Sequence, residues 1–87
     1  EAIRLLALAL QGEADPDAAK ALATWLQADT LTGLDRADTL LALAAQARRS
    51  GDTVAANRYQ DQLGAMYGDG DMPARIARLA ERVRDLE

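Results

Sequence analysis

The sequence has no cysteine and no histidine. That removes thiol nucleophiles, the usual imidazole general base and the two commonest soft metal ligands together. With no disulfide to argue from, the redox compartment is not legible. Phenylalanine is also missing, and Trp25, Tyr59 and Tyr67 are the only aromatic residues. β-Branched and aromatic runs of the kind that build sheets are lacking, so the fold class is all-α. The longest purely apolar run, Leu5 to Leu10, falls far short of the roughly 20 residues that span a bilayer, so no direct membrane insertion is expected. No signal peptide is visible. The chain opens at Glu1 rather than Met and is therefore expected to be part of a longer protein.

What is present is mostly alanine and leucine. At 87 residues the chain suits one domain with a single core, and small side chains allow helix axes to approach closely. The net charge of −4 is uneven: seven acids face three bases from Glu1 to Ala47, and seven face seven from Arg48 to Glu87. Nine of the ten bases are arginine, Lys20 being the exception, and this Ala/Arg/Asp/Leu bias is associated with GC-rich bacterial genomes.

The organising stretch runs from Thr39 to Tyr67 and reads as two amphipathic helices joined by a turn at Ser50-Gly51-Asp52. Ahead of it, a first helix is expected from Ala2 to Gln11, stopped by Gly12. Ile3, Leu6 and Leu10 share one side of it, while Leu5, Leu8 and Ala9 cover much of the rest. A helix apolar nearly all round is normally buried on several sides, so an upstream helix or a second copy is expected to cover it, the alternative being a central helix in a compact bundle. A second helix starts at Asp15-Pro16-Asp17, with Asp15 as cap, and ends near Asp29; Ala19, Leu22, Ala23 and Leu26 form its stripe and Trp25 its border. Thr32 and Asp35 are spaced as a capping pair for the third helix, Leu34 to Arg49. There Ala37, Leu40, Leu41, Ala44 and Ala47 define one face. The fourth helix, capped by Asp52, turns Ala55, Ala56, Tyr59, Leu63 and Met66 inward; Gly64 within it points to a close helix contact or to weak local stability. Gly68-Asp69-Gly70-Asp71 breaks the chain. The last helix begins near Pro73, with Ile76, Leu79, Ala80, Val83 and Leu86 on one side and Arg75, Arg78 and Arg82 on the other.

Leu5-Leu6-Ala7-Leu8-Ala9-Leu10-Gln11 matches Leu40-Leu41-Ala42-Leu43-Ala44-Ala45-Gln46 at an offset of 35 residues, and Ala21 and Trp25 match Ala55 and Tyr59 at 34. Helix–turn–helix units at that period resemble a tetratricopeptide-repeat (TPR) array. Leu40, Leu43, Ala44 and Ala47 resemble the packing series of that family's first helix, Gly51-Asp52 its turn, and Ala55 or Ala56, Tyr59 and Leu63 the series of its second. The match departs from the family in the longer link Gly12-Glu13-Ala14-Asp15 and in the glycines Gly33 and Gly68, which stand where a closing proline is common. On this reading residues 1–31 form a degenerate repeat, 34–67 the best repeat and 72–87 a capping helix, giving a TPR-like α–α superhelix.

The resemblance implies a non-catalytic adaptor or scaffold that grips a peptide or helix of a partner protein. Its family-implied setting is a bacterial assembly, such as envelope machines for polysaccharide export, pilus assembly or cytochrome maturation; cytoplasm and periplasm both remain open. The groove is expected along helices 1 and 3, with Arg48 and Arg49 at the rim for an acidic group and Trp25 and Tyr67 as aromatic anchors. The second expectation is self-association through Leu5 and Leu8 of the first helix.

Other constellations point to less. The arginines Arg48, Arg49, Arg58, Arg75, Arg78, Arg82 and Arg84 suit anion recognition, or equally a solvated face with local pairs such as Asp71–Arg75 and Arg78–Glu81. Nucleic acid is disfavoured because that half of the chain nets to zero. Asp69 and Asp71 faintly resemble a calcium loop, but the twelfth residue is Ala80 rather than glutamate. Asp35 and Asp38 sit in a first helical turn, where the dipole favours acids, and no nucleophile or metal set accompanies them. Neither a cofactor nor a metal is expected, and an enzyme is the least expected class.

Overall fold

A computed structural model describes residues 2–27, 33–67 and 70–86. Within them the chain is all-helical, with five helices and no strand: α1 (Ala2–Leu10), α2 (Pro16–Leu26), α3 (Gly33–Arg49), α4 (Thr53–Tyr67) and α5 (Ala74–Arg84). The expected Asp29 end, the Thr32 half of the capping pair and Asp69 lie outside the described residues.

The punctuation follows local chemistry. Asp15 Oδ1 accepts the Ala18 N–H at 3.2 Å and Pro16 opens the first turn; Asp52 Oδ1 accepts the Ala55 N–H at 3.1 Å. Each carboxylate satisfies a helix-start N–H that has no partner within the helix. Two helices end alike. Gly12, at φ +93°, closes α1 with Gly12 N–H to Ala9 O and Glu13 N–H to Leu8 O. Gly51, at φ +83°, closes α3 with Gly51 N–H to Arg48 O and Asp52 N–H to Ala47 O. Both are Schellman closures, in which the left-handed residue lets the chain fold back onto the last carbonyls.

The centre is α3. It packs most extensively against α4 and α1, less against α2 and α5, while α1 and α2 meet each other over only a short stretch. Every residue from Thr39 to Gln46 is buried, with Leu40, Leu41, Ala42, Ala44 and Ala45 fully so. Ala42 and Ala45, outside both the periodic face and the packing series read from the sequence, are buried too, because α3 has neighbours all round. Conversely, α1 is not the enclosed helix. Leu5, Leu6 and Ala9 are buried, but Ala7 is exposed and Ile3 is 67% exposed. One side of α1 rests on α3, and the chain itself supplies that cover.

Hydrogen bonds set the helix directions. Gln46 Nε2 donates to Leu5 O and Arg49 Nε to Ala9 O, so α1 and α3 run the same way. Gln46 Oε1 accepts from Asp15 N and Arg36 donates to Leu26 O, so α2 runs against α3. Arg75 donates to Asp38 at 3.2 Å, placing the start of α5 beside the start of α3. This contact replaces the expected Asp71–Arg75 pair: Asp38 lies within reach of the guanidinium in the folded chain. Ile76, Ala80 and Val83 bury the inner side of α5, leaving Arg75, Arg78 and Arg82 exposed, as the periodicity indicated. Among the described residues no helix is long and apolar enough to cross a membrane.

Candidate functional site

Arg48, Arg49, Trp25 and Tyr67, the residues expected along a groove of α1 and α3, lie in four different settings. The two helices pack directly together, and the middle of α3 has no free side. Arg49 is held inward: its Nε donates to Ala9 O at 2.6 Å, laying a cation over the carbonyl end of α1. Arg48 ties α3 to α4, donating at 3.0 Å to both Asn57 Oδ1 and Gln60 Oε1, while its Nε is buried without a partner. Both arginines are therefore fold ties at the end of α3. Tyr67 packs part-buried on the core with its hydroxyl enclosed and unpartnered. Trp25, on the outer side of α2, is 56% exposed. Leu5 is fully buried and Leu8 part-buried against the core, so Leu5 is not a surface residue.

Two residues that the sequence reading passed over tie the helices together. Gln46 is 2% exposed and bridges α1 and α2 through Leu5 O at 3.0 Å and Asp15 N at 2.7 Å. Gln60 is 9% exposed; it accepts from Arg48 and donates to Ala80 O at 3.1 Å, tying α4 to α5. The signal for both was their position. Gln46 ends an otherwise apolar heptad, and Gln60 lies one turn after Ala56 on the inner stripe of α4. A long amide at a core position must find partners, because an unmet buried polar group is costly.

Beyond the Gln60 bridge, α4 and α5 separate. A pocket of about 170 Å³ opens between them, lined by Gln60, Leu63 and Gly64 from α4, by Met72 from the segment before α5, and by Ala77, Ala80, Glu81 and Arg84 from α5. A β-carbon built on Gly64 would meet nothing within 4 Å. Gly64 is therefore not the close helix contact it suggested; it forms an open wall. Among the described residues no group of three or more His, Cys, Asp or Glu is placed to hold a metal ion.

Comparison with known proteins gives no family. No family model matches the chain, and no curated protein or solved structure is significantly similar to it.

Proposed function

We propose that this domain is a non-catalytic protein–protein interaction module that takes a peptide or helix of a partner protein between α4 and α5. The observation that carries the reading is the pocket walled by Gly64. A cavity of about 150 Å³ accommodates a benzene ring in a well-studied case, so this pocket suits one aromatic or branched aliphatic side chain. Leu63, Met72, Ala77 and Ala80 supply apolar lining, and methionine adapts its shape to varied partners. Glu81 and Arg84 beside them supply charge for register. The tetratricopeptide-like arrangement belongs to the same proposal. It is supported by α1 and α3 running together with α2 opposed, though the short α1–α2 contact is looser than a closed hairpin. A scaffold role in a bacterial, envelope-associated assembly follows from that resemblance.

Gly64→Leu tests the groove. A leucine β-carbon fits the open space and favours helix over glycine by roughly 0.5–1 kcal/mol, so the variant is expected to fold at least as stably. Peptides selected from a random display library on the wild-type chain are expected to carry a large apolar anchor. They should lose at least about tenfold in affinity, some 1.4 kcal/mol, on Gly64→Leu. Equal binding to both proteins by titration calorimetry would remove the groove from the proposal.

Self-association through α1 is the second reading, favoured by the 67% exposure of Ile3. Its surface would be Ile3 rather than Leu5. Ile3→Glu is expected to leave the melting transition within about 0.5 kcal/mol of wild type and to abolish any dimer seen by light scattering. Leu5→Glu is expected to abolish the cooperative transition itself, because it buries an unpaired carboxylate. A wild-type chain that stays monomeric across a concentration series excludes this reading.

A further inference from the structure

The charge on α5 is out of keeping with the rest of the molecule. Between Ala74 and Arg84 it carries four arginines and one glutamate, so the chain's net −4 divides into +3 on this helix and −7 elsewhere. The arginines do not share one direction. Arg84 lines the pocket beside Glu81, whereas Arg75, Arg78 and Arg82, spaced i, i+3 and i+7, lie along a separate flank. At 1.5 Å per residue that flank is about 10 Å long.

Its arginines have different partners. Arg75 donates to Asp38, a carboxylate that is only 13% exposed. Arg78 and Arg82 are exposed and make no hydrogen bond or ion pair among the described residues. The nearest acid along the flank is the exposed Asp85 at the C-cap of α5, with Glu81 on the pocket side. Leu79, one turn before Arg82 on the helix surface, packs on the core but is only part-buried.

We propose that the flank formed by Arg78, Arg82 and Leu79 docks an acidic amphipathic helix of a partner protein. Guanidinium forks bind carboxylates in defined geometry, and the edge of Leu79 offers apolar contact in the same strip. The charge is complementary to an acidic segment and confined to a short helix. A nucleic-acid duplex is a poorer fit. Its phosphates form an unbroken run that continues past the flank onto a protein surface that nets to −7, within a screening length of about 8–10 Å, whereas a helix can confine its carboxylates to the flank. This surface is separate from the pocket, and its occupancy does not depend on the groove reading.

The test uses the intact chain and a fluorescein-labelled peptide of about sixteen residues, long enough to form an isolated helix. The peptide is built from Ala, Glu and Leu, with glutamates at i, i+3 and i+7 beside a leucine. A scrambled peptide of the same composition serves as control. By fluorescence anisotropy at low salt the patterned peptide is expected to bind with a Kd on the order of 10–100 µM. It should weaken at least about tenfold when Arg78→Glu and Arg82→Glu are combined. Both positions are exposed, so the double variant is expected to keep the wild-type melting transition. Arg58→Glu, on α4, is expected to bind as wild type does. No binding by the wild-type chain would overturn the proposal. So would equal binding of the scrambled peptide, unchanged affinity in the double variant, or an equal loss from Arg58→Glu. Tighter binding of a DNA duplex than of the patterned peptide would reject the protein-helix occupant.

Discussion

Ala45→Glu is expected to unfold the domain. The face read from helical periodicity, Ala37, Leu40, Leu41, Ala44 and Ala47, does not include position 45. In the folded chain Ala45 is fully buried, as are Ala42 and Ala44 around it. A glutamate would have to enter this closely packed interior as an unpaired charge or as a protonated acid without partners. Either outcome costs several kcal/mol, a large share of the roughly 5–15 kcal/mol available to a domain. Circular dichroism should show loss of the cooperative thermal transition at 25 °C or a very low midpoint. A melt close to that of wild type would mean that α3 has a solvent-facing side, and the central position of this helix would have to be abandoned.

Gln46→Leu is the second large effect. The side chain lies in the core and joins three helices: Nε2 donates to the Leu5 carbonyl of α1, and Oε1 accepts the N–H of Asp15 at the start of α2. Leucine keeps much of the volume but removes both bonds. Asp15 N–H then loses its side-chain acceptor, and the tie between α2 and α1 is gone. A lost buried hydrogen bond with an orphaned partner costs about 1–3 kcal/mol, so a loss of about 2–4 kcal/mol is expected. For a domain of this size that lowers the midpoint by roughly 8–32 °C. Gln11→Leu is the internal control. Gln11 is the counterpart of Gln46 in the matching heptad and is exposed, so its replacement should change stability by less than about 0.5 kcal/mol. Urea melts of the two variants check the difference. If they lose stability equally, the Gln46 bridge contributes nothing specific.

Much of the fold was legible because its determinants are local. Caps at Asp15 and Asp52, a proline in a first turn, and glycines after α1 and α3 act within a few residues of themselves, so their chemistry can be read one segment at a time. The inner sides of α4 and α5 were legible for a related reason. Each helix packs on one side only, so its apolar stripe has a single phase. The candidate site was far less so. Arg48 and Arg49 read as groove cations, yet their partners Ala9, Asn57 and Gln60 come from other helices. Gly64 read as a close contact or a point of weak local stability, and nothing in its own helix indicates that α5 stands away from it.

The clearest division lies between the two matching heptads. Local chemistry alone makes both helical, ends both at a glycine, and gives each an Ala/Leu surface to bury. It could not say which copy would be enclosed. In α1, Leu5, Leu6 and Ala9 are buried while Ala7 and Gln11 face solvent; in α3 all seven positions are buried. The difference is one of neighbours. α3 has α1 and α2 from before it and α4 and α5 from after it packed around its surface, whereas α1 is covered chiefly by α3. Packing settles that, because burial depends on which surfaces meet, and a side chain carries no record of how many helices will surround it.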